Sequence, residues 1–259
     1  MNFHAADFPY YTFGSLDRCG GVRHFVTSCR QGALGDVNLR SPNGVANRRR
    51  LAASVGFNID SLTTAEQTHS LNIAVINETN AGLGAITIDS RIPNTDALIT
   101  NRPGVCIMVL TADCQSVLLY DADNHAVAAI HAGWRGTAGG IVRLTVEAMQ
   151  REFGTEPSCL VAALGPCIGS CCFEVGDDVA EQFSLWPDCI LRKPEWPRPH
   201  IDLTAVNRQH LISAGLSPEN IESAQVCTKC RHDEFFSYRH NHTLGRIGTG
   251  VMVEKESSY

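Results

Sequence analysis

Short, wholly apolar runs alternate with a few helical stretches along this chain. Residues 105–110 form an unbroken apolar run, and 117–120 and 126–130 follow it across the polar turn Asp121-Ala122-Asp123-Asn124. Runs of this length bounded by turn residues predict strands buried on both faces. Residues 73–76, 160–164, 221–226 and 247–253 read as further strands. Asn43 is placed to cap a helix over 44–55, and Gly56 is placed to end it in a left-handed conformation. The spacing of Ile141, Leu144, Ala148 and Met149 predicts an amphipathic helix over 137–153, stopped at Gly154. Residues 177–183 and 204–214 read as helices, 1–20 as a strand or loop lead-in, and the proline-rich 193–199 as a surface loop. Strands and helices are interspersed with no repeat, low-complexity block or linker, which predicts one mixed α/β domain over residues 1–259.

Composition narrows the partners. A hydrophobic fraction of 44% with 19% charged residues allows a full core. The net charge of −6 argues against nucleic acid and acidic membrane, since both are held by surplus Lys and Arg, although Arg48-Arg49-Arg50 is a local basic spot. The N-terminus has no basic-then-apolar leader pattern, and no apolar stretch approaches the ~18 residues of a membrane span. Eleven cysteines, an odd number scattered without a tight framework, fit free buried thiols in a reducing compartment, so the expected location is the cytoplasm.

Three stretches place a metal-capable side chain among small or turn-forming residues. They are Glu66-Gln67-Thr68-His69-Ser70, Thr111-Ala112-Asp113-Cys114-Gln115 and His131-Ala132-Gly133-Trp134-Arg135-Gly136-Thr137. Cys114 and His131 each sit where a buried strand meets a loop, the usual place for reactive groups in α/β folds. A thiolate and two imidazoles suit Zn²⁺, and three protein ligands leave a fourth position for water, as catalytic sites do. Spacing alone better fits a buried thiol and two hydrogen-bonded structural histidines.

Taken whole, TADC, HAGWRGT and the later CT…FFSYR…GR string resemble the YfiH-like family, formerly labelled multicopper polyphenol oxidases or laccase-domain proteins and sometimes peptidoglycan editing factors. Its members are regarded as purine nucleoside phosphorylases with adenosine deaminase activity. The resemblance runs from about Arg23 to Val253 and includes Asn38-Leu39, Asn47-Arg48-Arg49-Arg50-Leu51, Gln67-Thr68-His69, Thr95-Asp96-Ala97-Leu98, Gly165-Pro166, Phe173-Glu174-Val175-Gly176 and Asp202-Leu203. It implies a central sheet with flanking helices and a metal site at the strand ends, with His69, Cys114 and His131 as ligands. The ion expected is Zn²⁺, with copper as second candidate. The chain departs from the family in its shortened loop 31–37, in Arg40 where glycine is usual, and in Ser70 where glycine is commoner.

The function so implied is phosphorolysis of adenosine or inosine to free base and ribose 1-phosphate, with methylthioadenosine a further candidate, together with adenosine deamination. Nucleoside and phosphate are the expected partners. Cys114, His131 and Asp113 are the catalytic candidates, Asp113 as a ligand-orienting group, a proton acceptor or a turn cap. Arg48 and Arg135 are candidates for phosphate, since a guanidinium pairs with oxyanions in a bidentate fork. Asn38 and Gln67 offer amides to a base or ribose, and Phe235 and Phe236 could flank a purine. A competing scheme makes Cys114 the nucleophile and His131 the base of a cysteine hydrolase or amidase acting on a peptidoglycan precursor or other amide. Cys227-Thr228-Lys229-Cys230 reads as a lone CxxC without a second pair, and Cys167, Cys171 and Cys172 as packing or adventitious thiols. Ten histidines, with one HxH at His240-Asn241-His242, are few for a multicopper oxidase.

Overall fold

Side chains along a strand alternate between its two faces, and here both faces are apolar, so the strands are satisfied only between packed layers. The computed structural model describes residues 1–30, 35–242 and 245–255. Residues 31–34 of the loop over 31–37 lie outside the described residues. One six-stranded sheet runs β1 (Asn2–His4), β2 (Tyr10–Thr12), β3 (Val22–Thr27), β14 (Ile247–Val253), β7 (Cys106–Thr111) and β4 (Leu62–Thr64), parallel only between β4 and β7. The second runs β13 (Ile221–Ser223), β10 (Val161–Leu164), β8 (Gln115–Asp121), β9 (Ala126–Ala132), β6 (Ala97–Thr100) and β5 (Ile73–Val75), parallel at its two edge pairings. A ribbon of β11 (Ile190–Leu191) and β12 (His200–Ile201) stands apart. The helices among the described residues are α1 (Gly14–Cys19), α2 (Gly44–Val55), α3 (Trp134–Ala138), α4 (Ile141–Phe153), α5 (Asp177–Glu181), α6 (Leu203–Ser213) and α7 (Tyr238–Asn241).

The two large sheets pack face to face. Ile107 and Val109 of β7 share an inner core with Leu98, Leu118, Val127 and Ala129 of the other sheet. Their neighbours Cys106 and Met108 turn outward and join Leu51 and Ala52 of α2. On the far side, Ala128 and Ile130 of β9 join Val142, Val146 and Met149 of α4 and Leu211 of α6. The order of layers is helix, sheet, sheet, helix, and each fully buried Leu, Ile or Val contributes roughly 1.5–3 kcal/mol.

The mixed α/β architecture is the expected one, but two sheets replace the single central sheet. Two apolar faces per strand require a cover on each side, and the second sheet supplies one of them. Residues 14–19 form a helix inside the expected lead-in. The helix expected over 137–153 is two helices, because Gly140 takes φ 78° and breaks the ladder between α3 and α4. Asn43 occupies the N-cap of α2 without a side-chain capping bond, while Gly56 is left-handed and donates its N–H to Ala52. All eleven cysteines are free, but Cys19, Cys159, Cys171 and Cys230 are exposed rather than buried. No helix among the described residues is long and apolar enough to cross a membrane.

Candidate metal centre

Each donor is delivered by a crossing between sheets or by a strand at their seam. The chain leaves β7 in the first sheet and enters β8 in the second through Ala112-Asp113-Cys114. That turn needs φ 86° at Asp113, a conformation non-glycine residues seldom adopt. The Asp113 carboxylate holds it in place, accepting from the Thr228 hydroxyl (2.6 Å) and the Arg239 backbone N–H (2.6 Å). His131 lies on β9, opposite Ser116 of β8, so strand pairing alone brings it beside Cys114. His69 comes from the crossing between β4 and β5 and is itself left-handed, with φ 62°.

Asp96 organises two of the three donors, and the sequence reading gave it no role beyond its place in the family string. Fully buried at the entrance to β6, it accepts the backbone N–H groups of Thr68 (3.2 Å), His69 (3.1 Å) and Ser70 (2.6 Å) and the Ser70 hydroxyl (2.7 Å). Its Oδ1 also lies 2.7 Å from His131 Nδ1, which leaves Nε2 free to face a ligand. A carboxylate immediately before the wholly buried Ala97–Thr100 strand was the available signal.

The donor atoms of His69, Cys114 and His131 lie within 4.8 Å of one another. His69 Nε2 is 3.9 Å from Cys114 Sγ, and the two imidazole rings meet edge-on with centroids 4.9 Å apart. Tetrahedral bonds of 2.0–2.3 Å would place donors about 3.3–3.8 Å apart, so this N₂S set fits one small ion with little adjustment. Gly133, between His131 and α3, completes the fit. A Cβ there would stand 2.7 Å from His69 Cδ2 and 3.1 Å from Cys114 Sγ. Burial pushes the Cys114 thiol up, but His131 and His69 outweigh it and bring it down to about 6. Burial lowers His131, but Cys114 and Asp96 outweigh it and raise the imidazole to about 9. Each group thus favours the charged form of the other, and the thiolate is the ligating form.

The donors open into a pocket of about 510 Å³, within the range of small-molecule sites. Asn38, Gln67 and Asp113 also line it. The Gln67 amide is engaged with β7, donating to the Leu110 carbonyl (2.7 Å) and accepting the Leu110 N–H (2.8 Å). Two expected phosphate ligands lie elsewhere. Arg48 is fully enclosed and spends its guanidinium on the carbonyls of Val37, Gly84 and Ala85, fastening α2 to the neighbouring loops. Arg135 is exposed on α3 with its guanidinium 4.3 Å from the Trp134 ring centre, outside the pocket. The arginines that line the pocket are Arg40, Arg91, Arg239 and Arg246. Arg239 is held over Phe173 and bonded to the Glu174 carbonyl. Phe235 is buried in the core between the sheets with Phe236 packed against that core, and the aromatic walls are Phe173 and Tyr238 instead. Tyr238 and Arg239 belong to the same FFSYR string, two or three residues beyond the phenylalanines.

The family described as "Multi-copper polyphenol oxidoreductase laccase" matches residues 14–254, slightly more than the span of the resemblance read from the sequence. A "Purine nucleoside phosphorylase" of Bacteroides thetaiotaomicron is 37% identical over 259 residues, covering 94% of this chain and 96% of its own. "Adenosine deaminase RL5", from an unknown prokaryotic organism, is 41% identical over 209 residues, with 79% of each chain covered. The crystal structure of the Bacillus licheniformis hypothetical protein YfiH superposes with a TM-score of 0.89 at 28% identity, covering 97% of this chain and 99% of that one.

Proposed function

The chain belongs to the multi-copper polyphenol oxidoreductase laccase family, and from that membership we propose that it is a zinc-dependent purine nucleoside enzyme of the cytoplasm. It cleaves adenosine and inosine with phosphate to free base and ribose 1-phosphate, and it hydrolyses adenosine to inosine and ammonia. The observation that carries this reading is the His69, Cys114 and His131 cluster opening into a pocket walled by arginines and two aromatic rings. The names of the two relatives, one a phosphorylase and one a deaminase, support both reactions. Polyphenol oxidation by several coppers is poorly supported. Such sites need many histidines, whereas the two donor clusters among the described residues contain two.

Zinc held here would supply Lewis-acid polarisation of a water or substrate oxygen. The protein's own part is positional. Asp96 sets the His131 tautomer and the His69 backbone, so both imidazoles present a nitrogen to the same point. Arg40 and Arg246 hold the phosphate that displaces the base at C1′ of ribose, while Phe173 and Tyr238 flank the purine. Asp113, with both oxygens engaged, positions Cys114 and the segment that bears Arg239.

The test is metal analysis joined to turnover of adenosine and inosine on one preparation. Zinc should be present, His131→Ala should lose the pocket ion and both activities, and only phosphorolysis should vanish without phosphate. Copper at this site, or inosine cleavage that persists without phosphate, would overturn the reading. One observation favours a second scheme: the Cys114 thiol lowered to about 6 beside an imidazole is also the arrangement of a cysteine hydrolase. Amide hydrolysis by the unaltered chain, lost in Cys114→Ala with the zinc content unchanged, would identify that alternative.

A further inference from the structure

The chain carries a second convergence of metal-capable side chains, outside the pocket and not foreseen from the lone CxxC. Cys171 and Cys172 lie in the loop after β10, Cys227 and Cys230 in the turn after β13, and their four sulfurs all fall within 4.8 Å of one another. Cys230 Sγ is 3.7 Å from Cys171 Sγ and 3.6 Å from Cys172 Sγ. We propose that these four cysteines form a structural Zn²⁺ site that staples the two loops together.

The spacing points to a single tetrahedral ion. Four sulfurs at ~2.3 Å from a central ion stand about 3.7–3.8 Å apart in a tetrahedron. A disulfide would need ~2.05 Å and would join two sulfurs, whereas here two thiols gather on Cys230 at equal reach. Iron–sulfur clusters also use four cysteines, but their irons are bridged by sulfide, which spreads the cysteine sulfurs farther apart than this group allows. Backbone structure sets the convergence in advance. Cys167 and Cys227 form a parallel bridge, with Cys167 N–H bonded to Val226 and Thr228 N–H to Cys167. Close to that fixed point, Gly169 accepts the N–H groups of Cys172 and Phe173, turning the loop back toward Cys227. A Cβ on Gly169 would stand 3.2 Å from Cys227 Cβ and 3.3 Å from Cys171 Sγ, so the glycine leaves room for the sulfurs. Cys171 and Cys230 are exposed, which gives an ion access.

The two loops lead directly to the pocket. One continues into Phe173, and the other carries Thr228, whose hydroxyl holds Asp113, and runs on to Tyr238 and Arg239. An ion on the four thiolates would therefore fix one wall of the pocket without touching its contents.

The proposal does not depend on the reaction assigned to the pocket, and its test counts ions in the full chain. Protein purified under reducing conditions should hold two zinc ions per chain. Cys230→Ser should hold one, keep the pocket ion and unfold at a lower temperature, and His131→Ala should also hold one. Should Cys230→Ser not fold, zinc-edge X-ray absorption on the unaltered protein should show a first shell dominated by sulfur. Zinc content equal in Cys230→Ser and the unaltered chain would overturn the site. A disulfide among the four in unreduced protein, or a shell with one sulfur among nitrogens and oxygens, would do so too.

Discussion

Gly133→Ala adds one methyl group against His69 and Cys114 of the candidate metal centre. The backbone there has φ −65° and ψ 173°, which alanine adopts without strain, so the effect falls on the neighbours. The methyl would stand 2.7 Å from His69 Cδ2, where carbon contacts are ordinarily about 3.5–4.0 Å. The ring must retreat by about 0.8–1.3 Å, several times the ~0.2 Å that a ligand bond tolerates. Cys114 cannot take up the difference, because its sulfur would be only 3.1 Å from the same methyl. Perturbing the supports of metal ligands typically costs 10–100-fold in affinity, or about 1.4–2.8 kcal/mol. The expected result is a rise of that size in the zinc concentration giving half-maximal adenosine turnover by chelator-stripped protein. The metal-free variant should still unfold cooperatively, since the methyl displaces the exposed His69 ring and not a core group. Unchanged zinc dependence would show that His69 and Cys114 do not bind one ion together.

Two further outcomes follow from the site's charges. Arg40→Met and Arg246→Met should each weaken phosphorolysis about ten- to a hundredfold, the worth of a charge-assisted hydrogen bond of ~1.5–3 kcal/mol, and spare deamination. Arg135→Met, outside the pocket, should leave both rates unchanged, and equal loss of both reactions in the pocket variants would remove phosphate from their role. In metal-free protein, free Cys and His lose protons near 9.0 and 6.5 and the folded pair near 9 and 6, so Cys114 and His131 together contribute almost no pH dependence of stability. Burial raises Asp96, but hydrogen bonds from His131 and Ser70 outweigh it and hold it near 2, below its ordinary 3.8. Its contribution is present above about pH 4 and lost as the pH falls through about 2. Unfolding temperatures should show this acid loss in the unaltered chain and less of it in Asp96→Asn, and an equal loss in both would refute the assignment.

The strands were legible because their apolar runs are uninterrupted, and strands at 106–111, 115–121, 126–132 and 247–253 fall where the runs predict them. The second sheet was not, since a run buried on both faces looks the same whether a helix or another sheet covers it. The convergence of His69, Cys114 and His131 was readable from the glycine and turn chemistry around them and from the family strings. The arginines were misassigned for a physical reason. Arg48 and Arg135 stand in the most distinctive strings, but on α2 and α3 their side chains point where helix geometry sends them, to buried carbonyls and to solvent. The Cys171-Cys172 and Cys227-Cys230 pairs are separated by more than fifty residues and meet only because β10 and β13 pair in parallel.

The candidate metal centre sits on the seam between the two sheets. His69 and Cys114 lie on two of the connections that pass from one sheet to the other, β4 to β5 and β7 to β8, and His131 belongs to the second sheet alone. The segment bearing His69 is tied to both sheets, through the Gln67 amide to Leu110 of β7 and through its backbone N–H groups to Asp96 before β6. An ion bound there would favour the docked sheets and would add about 2.7 kcal/mol to their stability at a free concentration a hundred times the dissociation constant. The site would thereby act as a clasp, metal uptake reporting that the two layers have docked.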